Sequence, residues 1–285
     1  MTEDLASSWD RHADRYSRIA APFTGYLAQS LFLSVAGRLP RAARMLDIAC
    51  GTGELARAAA LHCLEREREA GASGSVVATD FSPAMLAHTQ RAFDALGAGH
   101  VARCEVQDGQ ALTFEASSFD AAFSAFGIFL FPDRRQGWRE AARVLRPGGL
   151  FATAVWRGPE HNALARLQMA PVMAALPERV RAALPRPSWL DITSEEGLVQ
   201  EVCAAGFVEP EVTVREAELT APTPRAMWEM MRDNPLTEAL LSRCADEELA
   251  VVERAVLADF EGLAGGTDRP VRLGASCHFL VARLA

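Results

Sequence analysis

Apolar positions along this chain recur in two rhythms. Runs that stay apolar, or that alternate every second residue, mark strands: Met45-Leu46-x-Ile48, Val76-Val77-Ala78, the alternating stretch 101–106, the stretches 121–125 and 150–156, Val212-x-Val214, and 271–282. Between them, apolar residues repeat at three-to-four spacing, the period of a helix with one buried face. The first such stretch spans 5–20, where Trp9, Ala13, Tyr16 and Ala20 share a face. Further helices are expected over 24–37, 53–69, from Pro83 through Phe93, and over 133–144. After strand five, helical patterns follow at 163–175, with Pro171 splitting it, and at 177–184, ending at Pro185 and Pro187. Another runs from the cap signal Thr193-Ser194-Glu195-Glu196 to Ala205 and stops at Gly206. More lie in 223–262, with Trp228, Met231 and Leu236 as apolar points. Strand and helix alternating in this way predict an α/β protein with a mostly parallel sheet.

Local turn chemistry places candidate sites at the strand ends. Strand one runs into Ala49-Cys50-Gly51-Thr52-Gly53, and a helix opens at about Gly53. Gly51 and Gly53 allow a tight turn with no Cβ between backbone and ligand. Gly51-x-Gly53-x-x-Ala56 fits the glycine fingerprint of dinucleotide folds, and Asp80 past strand two could accept ribose hydroxyls, so an NAD-dependent oxidoreductase is one reading. Ser82 can cap the helix that Pro83 begins. Strand three ends in Gln107-Asp108-Gly109-Gln110. Open α/β sheets bind ligands at the carboxyl ends of their strands, so Asp80 and Asp108 are expected to converge on one ligand.

The fuller string Asp47-x-Ala49-Cys50-Gly51-Thr52-Gly53 resembles motif I of the class I S-adenosylmethionine-dependent methyltransferases. Leu145-Arg146-Pro147-Gly148-Gly149 resembles that family's turn before strand five, and Trp9-x-x-x-Ala13-x-x-Tyr16 its N-terminal lid helix. The resemblance implies a Rossmann-like seven-stranded sheet in the order 3-2-1-4-5-7-6, with strand seven antiparallel, and S-adenosylmethionine as cofactor. It implies that Asp47, Ala49, Gly51 and Gly53 surround the methionine end. Asp80 would hold the ribose, with Phe81 and Met85 beside the adenine; for Met85 a plain core role fits equally. Asp108, Gly109 and Gln110 would meet the adenine edge, Ser124 would border the site, and Tyr16 would close over it. Ser124-Ala125-Phe126-Gly127 stands where nucleic-acid N-methyltransferases carry an Asn/Asp-Pro-Pro-aromatic string. The aromatic-rich segment there suggests a small, apolar or aromatic acceptor, or merely core. The overall pattern resembles the small-molecule type found in ubiquinone and menaquinone biosynthesis. In that family the methyl group moves by in-line displacement, so the protein's main task is alignment and exclusion of water. If a general base is used, His161, Tyr16 and His12 are the candidates. A cofactor-binding protein without catalysis is the third reading.

The implied organisation is one domain. Residues 1–38 form lid helices and 40–156 the cofactor core. Segments 157–192 and 222–265 form a helical cap, and 193–221 and 266–285 complete the sheet. At 285 residues and 49% apolar, the chain can bury a large core. A net charge of −8, with all 29 formal cations arginine, argues against broad nucleic-acid or anionic-membrane binding. The six cysteines form no C-x-x-C pair, so neither a metal site nor a disulfide framework is expected, and most are read as small buried residues. No run suits a membrane span and the acidic N-terminus lacks a secretory core, so a cytoplasmic protein is the default. Oligomeric state is not legible.

Overall fold

The computed structural model describes residues 2–71, 74–162, 170, 172–182, 191–232 and 235–285. Its strands are β1 Arg44–Ile48, β2 Ser75–Asp80, β3 Ala102–Val106, β4 Phe119–Ala125, β5 Leu145–Trp156, β6 Phe207–Ala221 and β7 Val271–Leu284. They form one sheet in the order β3-β2-β1-β4-β5-β7-β6, as the resemblance implied. The pairings of β1 with β2 and β4, of β2 with β3, and of β4 with β5 are all parallel; Leu46, for instance, stands between Val77 and Ala122. Met45, Leu46, Ile48, Val77, Ala122 and Phe123 are no more than 1% exposed, so these strands are covered on both faces. Parallel pairing sets the carboxyl ends of β1 to β4 along a single rim.

The helices that position the rim are α1 Thr2–Ile19, α2 Ala21–Val35, α3 Glu54–Ala70, α4 Pro83–Leu96, α5 Arg134–Val144 and α6 Glu195–Ala204. Local signals fix their starts. Ser82 Oγ accepts from Met85 N at 3.2 Å with Pro83 in the first turn, Asp133 accepts from Gln136 N, and Ser194 accepts from Gly197 N. Gly71 and Gly97 end α3 and α4 with left-handed backbone.

The structure departs from the sequence reading at Leu145–Gly149. That stretch was expected as a turn, yet it lies inside β5. Phe119 pairs with Leu145 and Ala121 with Leu150, so β5 carries extra residues between those two rungs, with Gly148 at φ +74°. The cysteine reading is corrected as well: Cys63 and Cys277 are buried, Cys203 is exposed and the other three are half-buried.

Two compact units divide the chain. The first holds Met1–Val155, Asp191–Arg215 and His278–Ala285. The second, Trp156–Leu190 with Glu216–Cys277, has its own apolar core, which includes Val172, Met227, Trp228, Val252, Val256 and Phe260. Its described helices include Glu178–Arg181, Pro224–Arg232, Pro235–Leu241 and Asp246–Ala264. Most of the expected helix at 163–175, with Pro171, Pro185 and Pro187, lies outside the described residues. Among the described residues no single helix is long and apolar enough to cross a membrane; Ala6–Arg18 and Ala21–Arg38 reach that length only together, across an 85° bend.

Candidate functional site at the strand rim

The rim is built around a backbone that side chains rarely tolerate. Ala49, Gly51 and Gly53, successive alternate residues after β1, have φ of +55°, +57° and +89°, and Phe126 after the neighbouring β4 has +58°. Left-handed backbone at non-glycine residues costs free energy and clusters at functional sites. Here Thr89 of α4 ties the turn down, donating to Gly51 O at 3.0 Å. A Cβ on Gly53 would lie 2.6 Å from that threonine side chain, whereas one on Gly51 would meet no atom within 4 Å. Gly53 is therefore a packing glycine, and the backbone at Gly51 borders open space.

Asp80, at the end of β2, joins this turn directly. One carboxylate oxygen accepts from Gly51 N at 2.9 Å and the other from Ser82 N at 3.0 Å. Burial raises its pKa to about 6, against the pull of the Ser82, Gly51 and Phe81 amides. Asp80 O also accepts from Gln107 N, which ties the loop after β3 to the same rim. In that loop Asp108 is exposed and its Oδ1 accepts from Gln110 N and Gln110 Nε2, while Gln110 Oε1 accepts from Asp133 N at 2.8 Å. A Cβ on Gly109 would lie 2.5 Å from the Phe131 ring and 3.0 Å from Ile48. Gly109 therefore lets the aromatic segment after β4 close against the ends of β1 and β3. Gly127 does the same against Ala49 and Ser124.

The predicted cofactor residues Asp47, Ala49, Gly51, Gly53, Asp80, Asp108, Gly109 and Gln110 thus line one rim. Asp47 is 1% exposed and its Oδ2 has no hydrogen-bond partner. Burial pushes its carboxyl well above the usual range, the Ala56 amide opposes this, and Asp80 and Glu54 add to it. Phe81 is half-buried just past β2 and Met85 is 2% exposed, packed in the core. Ser124 is fully buried, its hydroxyl donating to Ile48 O and accepting from Ile128 N, so it braces the rim from below. The Cys50 thiol is pushed well up by burial, with Asp80 and Asp47 adding to this, which keeps it protonated and unreactive.

Of the three base candidates, His12 and Tyr16 lie one turn apart on α1 and His161 belongs to the second unit. Tyr16 stands with Trp9, ring centroids 5.7 Å apart, and its hydroxyl pairs with Thr24 Oγ1 at 3.0 Å. Desolvation pushes its pKa up to about 12, with Glu54 and Asp80 contributing, so it keeps its proton at neutral pH. His12 is buried, its Nδ1 2.7 Å from Ser8 O one turn back on α1. His161 is exposed in a turn of the second unit.

Two residues at the rim escaped the sequence reading. Asp10 of α1 accepts from Ser82 Oγ at 2.5 Å and from Ala84 N at 3.0 Å. Glu54, the first residue of α3, accepts from Thr52 Oγ1 with both oxygens and packs where a Cβ on Gly25 of α2 would stand, 2.5 Å from its Cγ. An acidic residue in the first turn of a helix was the available signal for Glu54. Nothing in the local sequence of α1 singles out Asp10.

Comparison with known proteins accords with this geometry. A family profile for a methyltransferase domain matches residues 45–149. A ubiquinone/menaquinone biosynthesis C-methyltransferase of Geobacter sulfurreducens is 30% identical over 221 residues, 71% of this chain and 83% of that protein. A demethylmenaquinone methyltransferase of Thermus thermophilus is 38% identical over 42% of this chain, which spans half of that protein's length. Among solved structures, the YcgJ protein of Bacillus subtilis superposes with a TM-score of 0.58 at 17% identity, over 91% of this chain and 98% of that one, and so shares the fold. None of these similarities supports the NAD-dependent or the non-catalytic reading. Strand order, glycine turn and relatives agree: the chain belongs to the S-adenosylmethionine-dependent methyltransferase family that includes the ubiquinone/menaquinone-biosynthesis C-methyltransferases.

Proposed function

We propose that this enzyme methylates a small apolar or aromatic molecule of phenol or quinol type, and that its cofactor lies along the rim of β1 to β4. The observation that carries the placement is the Gly51–Asp80 hydrogen bond beside open space at Gly51. An adenosyl sulfonium fits these residues. Its ribose hydroxyls can donate to the free lone pairs of Asp80, its bulk fits where Gly51 offers no side chain, and its cationic end suits Asp47, whose Oδ2 has no hydrogen-bond partner. Once bound, S-adenosylmethionine supplies a methyl carbon already activated by the sulfonium.

The chain's own residues would do the rest. Asp80 and the loop 108–110 hold the adenosine, and the Ala49–Gly53 turn holds the amino-acid end. Tyr16, which retains its proton, acts as a donor or wall rather than as a base. Alignment and exclusion of water then supply roughly 7–11 kcal/mol of barrier lowering. The acceptor class follows the quinone-methylating roles of the relatives together with the aromatic segment Phe126–Phe131. The second unit, inserted around the end of the sheet sequence, is assigned to acceptor selection within one methyltransferase domain, and the protein is assigned to the cytoplasm.

The test is incubation with methyl-labelled S-adenosylmethionine and a panel of quinols, phenols and amines. Label in a quinol or phenol supports the proposal, and label in amines alone refutes the acceptor class. Asp80→Ala should weaken cofactor binding about tenfold or more, since hydrogen bonds to a charged acceptor contribute roughly 1.5–3 kcal/mol each; unchanged affinity would remove Asp80 from the site.

A further inference from the structure

The second unit holds a guanidinium without a counter-charge. Arg157 directly follows β5 and precedes the turn 158–162. Its backbone N donates to Ser276 O at 3.0 Å and its Nη1 to Ser276 Oγ at 3.2 Å. Ser276 is 4% exposed, and its carbonyl also accepts from Nδ2 of Asn162, which is 2% exposed. Nη1 is thereby committed to Ser276 of β7, whereas Nε is buried with no hydrogen-bond partner. Among the described residues no carboxylate pairs with Arg157. The Glu160 carboxylate instead fills the place beside Gly158 that a Cβ there would take. All these residues belong to the second unit, where Trp228 Nε1 and Thr237 Oγ1 are buried without a partner as well.

A guanidinium has five N–H donors and no acceptor, so only oxygens brought to it can satisfy it. A buried donor left unpaired is costly and uncommon in native proteins. The missing group at Arg157 is therefore an acceptor oxygen. A negatively charged oxygen fits best, because it supplies the absent counter-charge and makes the stronger kind of hydrogen bond.

Resting on the phenol or quinol acceptor proposed above, we infer that Arg157 binds that acceptor by its ring oxyanion, with the unpartnered Nε–H as donor. The ring hydroxyl gives its proton to water, and the adjacent cation favours the ionised oxygen that remains. Ionisation raises electron density on that oxygen and on the ring carbons beside and opposite it. On transfer, a bond from the oxygen or one of those carbons to the methyl forms as the sulfur–methyl bond breaks. The electron pair of the broken bond stays on sulfur, and a methylated ring carbon then loses its proton to water. This assignment needs no general base, in keeping with a Tyr16 that keeps its proton and an exposed His161. Ser276 and Asn162 act through Arg157, as positioning residues.

The test uses the full chain and 4-nitrophenol, whose phenolate is yellow. Spectrophotometric titration should show the bound probe ionising about one pH unit or more below the free phenol. At neutral pH, 4-nitroanisole, the same ring with its oxygen capped, should bind about tenfold more weakly. Arg157→Gln should remove both the shift and the preference. The inference is overturned if wild type does not bind the probe, if the bound probe keeps the spectrum of the neutral phenol, or if Arg157→Gln behaves as wild type. Displacement of the probe by an equal concentration of inorganic phosphate would reveal a general anion site and overturn it too. The shift and the anisole comparison need no variant, so an Arg157→Gln chain that fails to fold does not shield the idea. Label transfer from S-adenosylmethionine, measured separately, distinguishes the two readings. A shift with no label in any phenol sinks the acceptor class and leaves an oxyanion site; label in a phenol without the shift sinks this inference alone.

Discussion

The Asp10 carboxylate of α1 sits on the first turn of α4, accepting from Ala84 N at 3.0 Å and from Ser82 Oγ at 2.5 Å. It thereby adds a second cap to a helix that Ser82 already caps, and places negative charge at the positive end of the helix dipole. His88 and Asp14, 2.9 Å apart, make a further link between the same two helices. Asp10→Ala should lower unfolding stability by about 1–2 kcal/mol, read as a shift of the urea midpoint. Amide exchange in α1 should accelerate while β1 stays protected; unaltered exchange in α1 would show that Asp10 does not anchor it.

Asp80 gives the site a pH dependence. Its folded pKa of about 6 lies above the ordinary carboxylate value of 3.8, so the folded state holds this proton more tightly than the unfolded chain. The associated stability is complete below the unfolded value and is lost as pH rises through about 6. In the proposed placement cofactor binding runs the other way, because hydroxyl donors need the ionised form. Affinity for S-adenosylmethionine should rise from pH 5 to pH 7 while the ligand-free protein becomes less stable over the same range. Parallel titrations of wild type and Asp80→Asn check this: the variant should lose the step near pH 6, and a step that persists would belong to another group.

Gly51 and Gly53 should respond differently to alanine. At Gly51 the added methyl enters open space, so the cost is the left-handed backbone alone, about 1 kcal/mol, while cofactor affinity falls sharply. At Gly53 the methyl meets Thr89 at 2.6 Å, so the stability loss should be larger, roughly 2–3 kcal/mol. Thr89→Ala in the same chain should recover part of it. Thermal melts with and without cofactor separate the two cases.

Away from the rim, Arg134 of α5 and Glu201 of α6 form a bidentate ion pair at 2.6 and 3.0 Å, with side chains 6% and 10% exposed. Trp138 Nε1 and Arg135 Nε also reach Glu201. Glu201→Ala leaves the buried Arg134 guanidinium only the longer 3.8 Å contact with Asp191 and should cost about 3 kcal/mol. Replacing both residues by methionine should cost less than the single change, a comparison readable from denaturant unfolding.

How much of this was legible in the sequence follows from what each feature depends on. Strand order was inferred through family resemblance, but the strands themselves stood out as apolar runs, because a parallel strand covered on both faces must be apolar throughout. Ser82, Ser194 and the glycine turn were legible because caps and turns are decided within four or five residues. Asp80 was legible because a strand end followed by a helix cap fixes where its side chain emerges. The extra residues of β5 were not, since Pro147-Gly148-Gly149 reads locally as a turn and only pairing with β4 makes it strand.

The sequence by itself determined most of the elements and the residue types offered at the strand ends, because these rest on periodicity and short-range sterics, whereas the rim on which those ends meet rests on long-range strand pairing. Only the tertiary structure decided that Asp10 caps α4, that Glu54 packs on Gly25 beside the acids of the rim, that Phe131 closes on Gly109, and that Asp47 keeps a buried oxygen unpaired. Each of these joins groups from separate elements, and their contact is set by how helices dock on the sheet, which no local pattern encodes.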